Sequence, residues 1–126
     1  MRIVDLVEEF LSSEGFRHEM DNDGDIHFKY QGLNFYCRNH EGDESYFQII
    51  MPNIYDAKED RLKVLEATNK VTRDTKVLKA FLVQDSLWLS VEMFVDSNPI
   101  VGDFFFRCMD ILCEGRKQIA REIFGE

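Results

Sequence analysis

At 126 residues, with 44% hydrophobic and 13% aromatic content, the chain carries enough apolar material for a packed core and is excluded from the disordered class. Its 24 acidic against 15 basic side chains give a formal charge of −9, with Lys and Arg scattered among acids. That balance opposes nucleic-acid phosphates and anionic membrane surfaces, so neither is expected as a partner. Cys37, Cys108 and Cys113 make an odd count without framework spacing, which suits a reducing cytoplasm. Asp5, Glu8 and Glu9 stand where a secretory leader needs an apolar core, and no apolar run approaches a membrane span. With no linker and no repeat, residues 1–126 read as a single soluble, cytoplasmic domain.

In chain order, Ile3, Leu6, Val7, Phe10 and Leu11 recur at helical spacing, and Gly15 supplies a left-handed stop. Three alternating runs follow, Phe16–Met20, Ile26–Tyr30 and Leu33–Arg38, punctuated by tight turns at Asp21–Asp25 and Gln31–Gly32. After a polar loop from Asn39 to Glu44, Ser45–Met51 reads as a fourth strand ending at Pro52. Asp56 is the expected N-cap of a second helix running to about Asp74, with Val64, Leu65, Thr68 and Val71 on its modestly apolar face. Val77–Val83 and Leu87–Val95 form a hairpin around Asp85-Ser86.

Asp96, Ser97 and Asn98 with Pro99 mark the start of a last helix. It carries Val101, Phe104, Phe105, Cys108, Leu112, Ile119 and Ile123 on one side, and it spans about 25 residues, about 38 Å if unbroken. Gly115 in its middle costs about 1 kcal/mol relative to Ala and marks a potential bend, while Arg116, Lys117 and Arg121 suit the C-terminal end of the dipole. The order αββββαββα predicts an α+β fold, a mainly antiparallel sheet with helices packed on it.

Candidate chemistry is sparse. Glu19 to Tyr30 places Asp21, Asp23 and Gly24 at calcium-loop positions, but Tyr30 stands where the bidentate Glu belongs and strands flank the loop, so a hairpin turn is the better reading. Cys37 and His40 have ligand-like spacing but form one pair alone, and Cys108 and Cys113 lie about 140° apart on a helix and cannot converge on an ion. His27 should lie on the outer sheet face and His18 in the core. Cys37, sharing a face with Leu33 and Phe35, reads as an inert core thiol. The chain lacks a P-loop, a dinucleotide fingerprint and a nucleophile elbow, and Glu8 and Glu9 are solvated helix carboxylates. No metal, cofactor or catalysis is expected.

The strand faces are more telling. With Phe28, Leu33, Phe35, Phe47, Ile49, Leu78, Leu82, Leu87, Leu89 and Val91 towards a helical layer, alternation throws Tyr36, Tyr46, Ile50, Val77, Phe81, Val83, Trp88 and Phe94 onto the opposite face. That face is too apolar to be solvated, so either one of the three helices covers it or another chain does. In the second case the protein is a noncatalytic interaction module, a homodimer or the holder of a partner or client protein. Tyr36, Tyr46, Ile50, Phe81, Trp88 and Phe94 are then the candidate interaction residues. The alternative is a small-molecule or metal-responsive sensor, or a minor enzyme, using His27, Tyr36, Arg38 and His40 at the sheet edge.

Three segments carry a family resemblance: Leu6 to Phe16 (LVEEFLSSEGF), Asp23 to Tyr36 (DGDIHFKYQGLNFY) and Leu65 to Phe81 (LEATNKVTRDTKVLKAF). Together the chain resembles the YbjN-type domains, bacterial domains linked to sensory transduction regulation that share a fold with the type III secretion chaperones. The family often has two Asn three residues apart on its middle helix; Asn69 fits the first, and Thr72 replaces the second. The resemblance implies helices on an antiparallel sheet, frequent dimerisation, binding of extended client segments in the secretion chaperones, and no known enzymatic chemistry.

Overall fold

The computed structural model describes residues 2–125. The periodic N-terminal segment forms helix α1 (Ile3–Ser13), which buries Ile3, Val4, Val7 and Leu11. Gly15 takes φ +79°, and the amide of Phe16 returns to the Leu11 carbonyl at 2.9 Å, the left-handed stop expected of glycine there. Strands β1 (His18–Met20), β2 (Ile26–Tyr30), β3 (Leu33–Cys37) and β4 (Tyr46–Asp56) follow, then helix α2 (Arg61–Asp74), β5 (Leu78–Val83) and β6 (Ser86–Phe94). A short 3-10 turn (Val101–Asp103) leads into helix α3 (Phe105–Phe124). The six strands make one sheet in the order β1-β2-β3-β4-β6-β5, every neighbouring pair antiparallel. Because β6 lies between β4 and β5, those two strands run parallel and α2 is the crossover joining them. The α+β class and the αββββαββα order are as expected, and several boundaries differ.

Pro52 does not end the fourth strand. A bulge between Met51 and Tyr55, with Asn53 at φ +55°, absorbs it, and β4 continues to Asp56 along β6. Beyond Ile50 the register gives β4 no partner in β3, so the missing proline N–H breaks no ladder bond. Asp56 is therefore strand, not N-cap; its carboxylate accepts the Lys58 amide at 3.0 Å, and Asp60 precedes the helix instead. Val77 sits at φ +69°, which takes it out of β5, and the hairpin turn falls at Gln84-Asp85, with Gln84 at φ +57°. The last helix starts late because Phe104 has non-helical φ −133°, ψ −14°, its ring packed edge-on to Phe47 at 5.0 Å.

Gly115 does not bend α3, which runs unbroken through it. A Cβ there would meet Leu78 Cδ2 at 2.6 Å, so glycine lets the helix lie close against β5. His18 is partly buried at the sheet edge, not in the core; its ring nitrogens meet the Phe16 carbonyl at 2.9 Å and Ser12 Oγ at 3.3 Å.

The core joins one sheet face (Ile26, Phe28, Phe35, Cys37, Phe47, Ile49, Met51, Leu78, Ala80, Leu87, Leu89, Val91) to the apolar stripes of all three helices. Leu33 and Leu82 pack against it partly buried. Since α1, α2 and α3 all bury their stripes on that side, the first of the two alternatives, that a helix covers the other face, fails. Among the described residues, no helix lies over it.

Candidate functional site

The open face is built by the odd-and-even logic of the strands. Residues that alternate with the core positions project from it, and the ladder brings the six candidate interaction residues together as three directly opposed pairs. Tyr36 faces Ile50, Phe81 faces Trp88, and Tyr46 faces Phe94. The Phe81 and Trp88 ring centroids are 6.2 Å apart and those of Tyr46 and Phe94 5.9 Å apart, within the range of favourable aromatic pairs. Their exposure is uneven. Phe94 is 76% exposed, Tyr36, Tyr46, Phe81 and Trp88 are half-buried, and Ile50 is only 4% exposed. Ile50 is thus part of the floor and not a projecting anchor, flanked in register by Tyr36 and Ser90. Val77 and Val83 are exposed as well.

A polar belt separates the aromatic pairs, and apolar counting along the strands passed over it. Glu92 lies at its centre. It accepts hydrogen bonds from the Tyr46 hydroxyl, Ser90 Oγ (2.8 Å) and Gln48 Nε2 (3.1 Å), and Lys79 Nζ lies 2.9 Å from it. Gln48 Nε2 also donates to Ser90 Oγ at 3.0 Å, and His40 Nε2 donates to Gln48 Oε1 at 2.8 Å. Burial alone would push the Glu92 carboxyl up, but the hydrogen bonds from Tyr46, Lys79 and Ser90 outweigh it and hold the group below the usual carboxylate range. The same geometry, burial first and the Glu92 bond second, pushes Tyr46 up to about 12. Lys79 also lies 5.4 Å over the Phe81 ring, tying belt to aromatic pair. The signal was present in the alternation itself, since Gln48, Ser90 and Glu92 share parity with Tyr46 and Ile50.

The residues of the alternative reading do not converge. His27 Nε2 donates to Asn34 at 2.8 Å with its ring 5.0 Å from Tyr36, Arg38 lies 3.2 Å from Asp25, and His40 is held by Gln48 and packs edge-on to Tyr46. Each polar group has its own neighbour, and none is aimed at a shared point. Cys37 is fully buried and pushed up to about 12 by desolvation, an unreactive thiol; Cys108, pushed up to about 11, is likewise inert.

Asp21, Asp23 and Asp25 bring carboxylate oxygens within 4.8 Å of one another. Two of them already serve the turn. Asp21 accepts the amides of Asp23 (2.9 Å) and Asp25 (3.1 Å), and Asp25 accepts that of Asn39 (2.7 Å). One further element matters for access. Thr72 on α2 accepts the Ala80 amide at 2.9 Å and sits 3.4 Å from its carbonyl, which closes part of the free edge of β5.

Comparison with known proteins agrees with this architecture. A family model described as "T3SS (YopN, CesT) and YbjN peptide-binding chaperone 1" matches residues 2–126. Among solved structures, a protein from Methanothermobacter thermautotrophicus superposes with a TM-score of 0.68 at 13% identity, covering 96% of each chain. The Yersinia pestis type III secretion chaperone SycH, solved in complex with a stable fragment of YscM2, gives 0.64 at 14% identity over 92% of this chain and 98% of its own. YbjN from E. coli gives 0.61 at 13% identity over 98% and 92%. At such identities these likenesses show the fold alone. No curated protein matches the chain.

Proposed function

The chain belongs to the T3SS and YbjN peptide-binding chaperone family, and on that premise we propose that it is a noncatalytic protein-binding module working as one unit over residues 1–126. It acts in the cytoplasm as a homodimer of regulatory or chaperone type and holds a partner or client protein on the open sheet face. The observation that carries this is the placement of all three helices on one side of the sheet, which leaves the Phe81–Trp88 and Tyr46–Phe94 pairs and Tyr36 at least partly exposed on the other. An aromatic surface around a satisfied polar belt is the usual make-up of a specific protein interface, with apolar anchors for affinity and hydrogen-bonding groups for register.

Among the described residues no helix is long and apolar enough to cross a membrane, and the three cysteines are free, both in keeping with that setting. Sedimentation velocity and circular dichroism on the wild type and Trp88→Asp test the dimer. The expected result is a wild-type dimer and a folded monomeric variant. A wild-type monomer rules out the homodimer, and an unfolded variant places Trp88 in the structural core.

A further inference from the structure

A second concave surface lies away from the open sheet face, where the last turns of α3 pass the end of β4. Ile54, Ile119 and Ile123 floor a groove of about 330 Å3, the lower end of the range that holds ligands. Tyr55 and Phe124 stand at its side, ring centroids 5.6 Å apart and edge-to-face, with Phe124 61% exposed. Apart from Ala120, the remaining lining is cationic: Arg116, Lys117 and Arg121, with no carboxylate among the groove residues. In a chain of 24 acids and 15 bases this is a reversal of the prevailing sign. Among the described residues, no carboxylate lies within ion-pair distance of Arg116 or Lys117, and Arg121 has only Glu114, at 3.6 Å.

Two bland explanations fall short. Cations near a helix C-terminus complement its dipole, but that effect fades within the last turn and does not reach Arg116. Long cationic stems do shelter apolar surface, yet here the Phe124 ring beside them is left 61% exposed. The spacing favours an extended chain over a compact anion. Lys117 and Arg121, one turn apart on the same face of α3, are about 6 Å apart along the helix axis, close to the roughly 6.6 Å between alternate residues of an extended strand.

We propose that this groove docks an extended acidic segment of a partner protein, with carboxylates at alternate positions on the rim cations and an aliphatic or aromatic side chain between them on the floor beside Phe124. This goes beyond the binding assigned to the sheet face and uses none of its residues.

The test uses fluorescein-labelled short peptides alternating Glu with Leu, and their Lys-for-Glu twins, titrated by anisotropy against the full chain. The net charge of −9 favours the Lys twin through any non-specific attraction, so preference for the Glu peptide reports the groove. The Glu peptide is expected to bind at least about tenfold more tightly than its twin, to weaken with added salt, and to lose at least about tenfold in affinity to Arg116→Glu/Lys117→Glu. Trp88→Asp should leave its affinity unchanged. No binding, equal binding of the twins, or full binding by the double variant overturns the proposal. Loss in Trp88→Asp, with the double variant binding as wild type, moves the peptide to the sheet face instead.

Discussion

Replacing Thr72 by valine keeps the side-chain shape and removes one hydroxyl, and with it the cover of the β5 edge. In the native chain that oxygen accepts the Ala80 amide at 2.9 Å, and its proton points to the Ala80 carbonyl at 3.4 Å. Ala80 is 8% exposed, so water replaces the lost partner poorly. A net hydrogen bond is worth roughly 0.5–1.5 kcal/mol, and leaving its buried donor unpaired adds to the loss. Valine has nearly the same helix propensity as threonine. The expected destabilisation is therefore about 1–2 kcal/mol, read by urea unfolding with an unchanged m-value, with faster exchange of the Ala80 amide. Thr72→Asn, which brings the residue frequent at this place in the family, offers both a donor and an acceptor and should remain within about 0.5 kcal/mol of wild type. A neutral Thr72→Val with unchanged Ala80 exchange would refute this reasoning and leave the edge held by the packing of Val64 and Val71 alone.

Three further outcomes are expected. Gly115→Ala gains about 1 kcal/mol of helix propensity but forces its Cβ onto Leu78 Cδ2, 2.6 Å away; overpacking of roughly 1–3 kcal/mol should win, with a lower melting temperature that Leu78→Val partly restores. Val77→Asn relieves a β-branched residue at φ +69° and should stabilise the fold by about 1 kcal/mol in urea melts. Glu92 is held below its ordinary range, so its contribution is complete above the unfolded-state value of about 4.3 and is lost as pH falls through the lower folded-state value. The stability gap between wild type and Glu92→Gln should shrink on acidification from neutral pH through that window, and a gap independent of pH would remove Glu92 from the belt's energetics.

Local pattern made α1, β2 and β3 legible, because period, glycine stop and turn residues agree there. Pro52 misled because a proline stops a strand only where its N–H faces a neighbour, and β3 had already ended its pairing at Ile50. The displaced start of α2 follows from the same error, since Asp56 was still strand. Val77 and Gly115 depend on how β5 meets α2 and α3, a tertiary matter that single-residue propensity does not carry. Alternation did sort the six face residues correctly into one surface. It did not show that Ile50 would be covered, that Glu92 would gather the polar belt, or that every helix would choose the same side. The resemblance to the chaperone-like domains supplied the architecture that such contacts require.

The claim that the open sheet face holds a partner protein is tested most directly by affinity capture of three tagged forms from a lysate of the native cells. These are wild type, Phe94→Asp, and Leu62→Asp on the solvent side of α2. Phe94 and Leu62 are 76% and 71% exposed, so either change should cost the fold less than about 1 kcal/mol. The account predicts a near-stoichiometric polypeptide with wild type and Leu62→Asp that is lost from Phe94→Asp. Retention of that polypeptide by a folded Phe94→Asp, or its loss from Leu62→Asp alone, would contradict it.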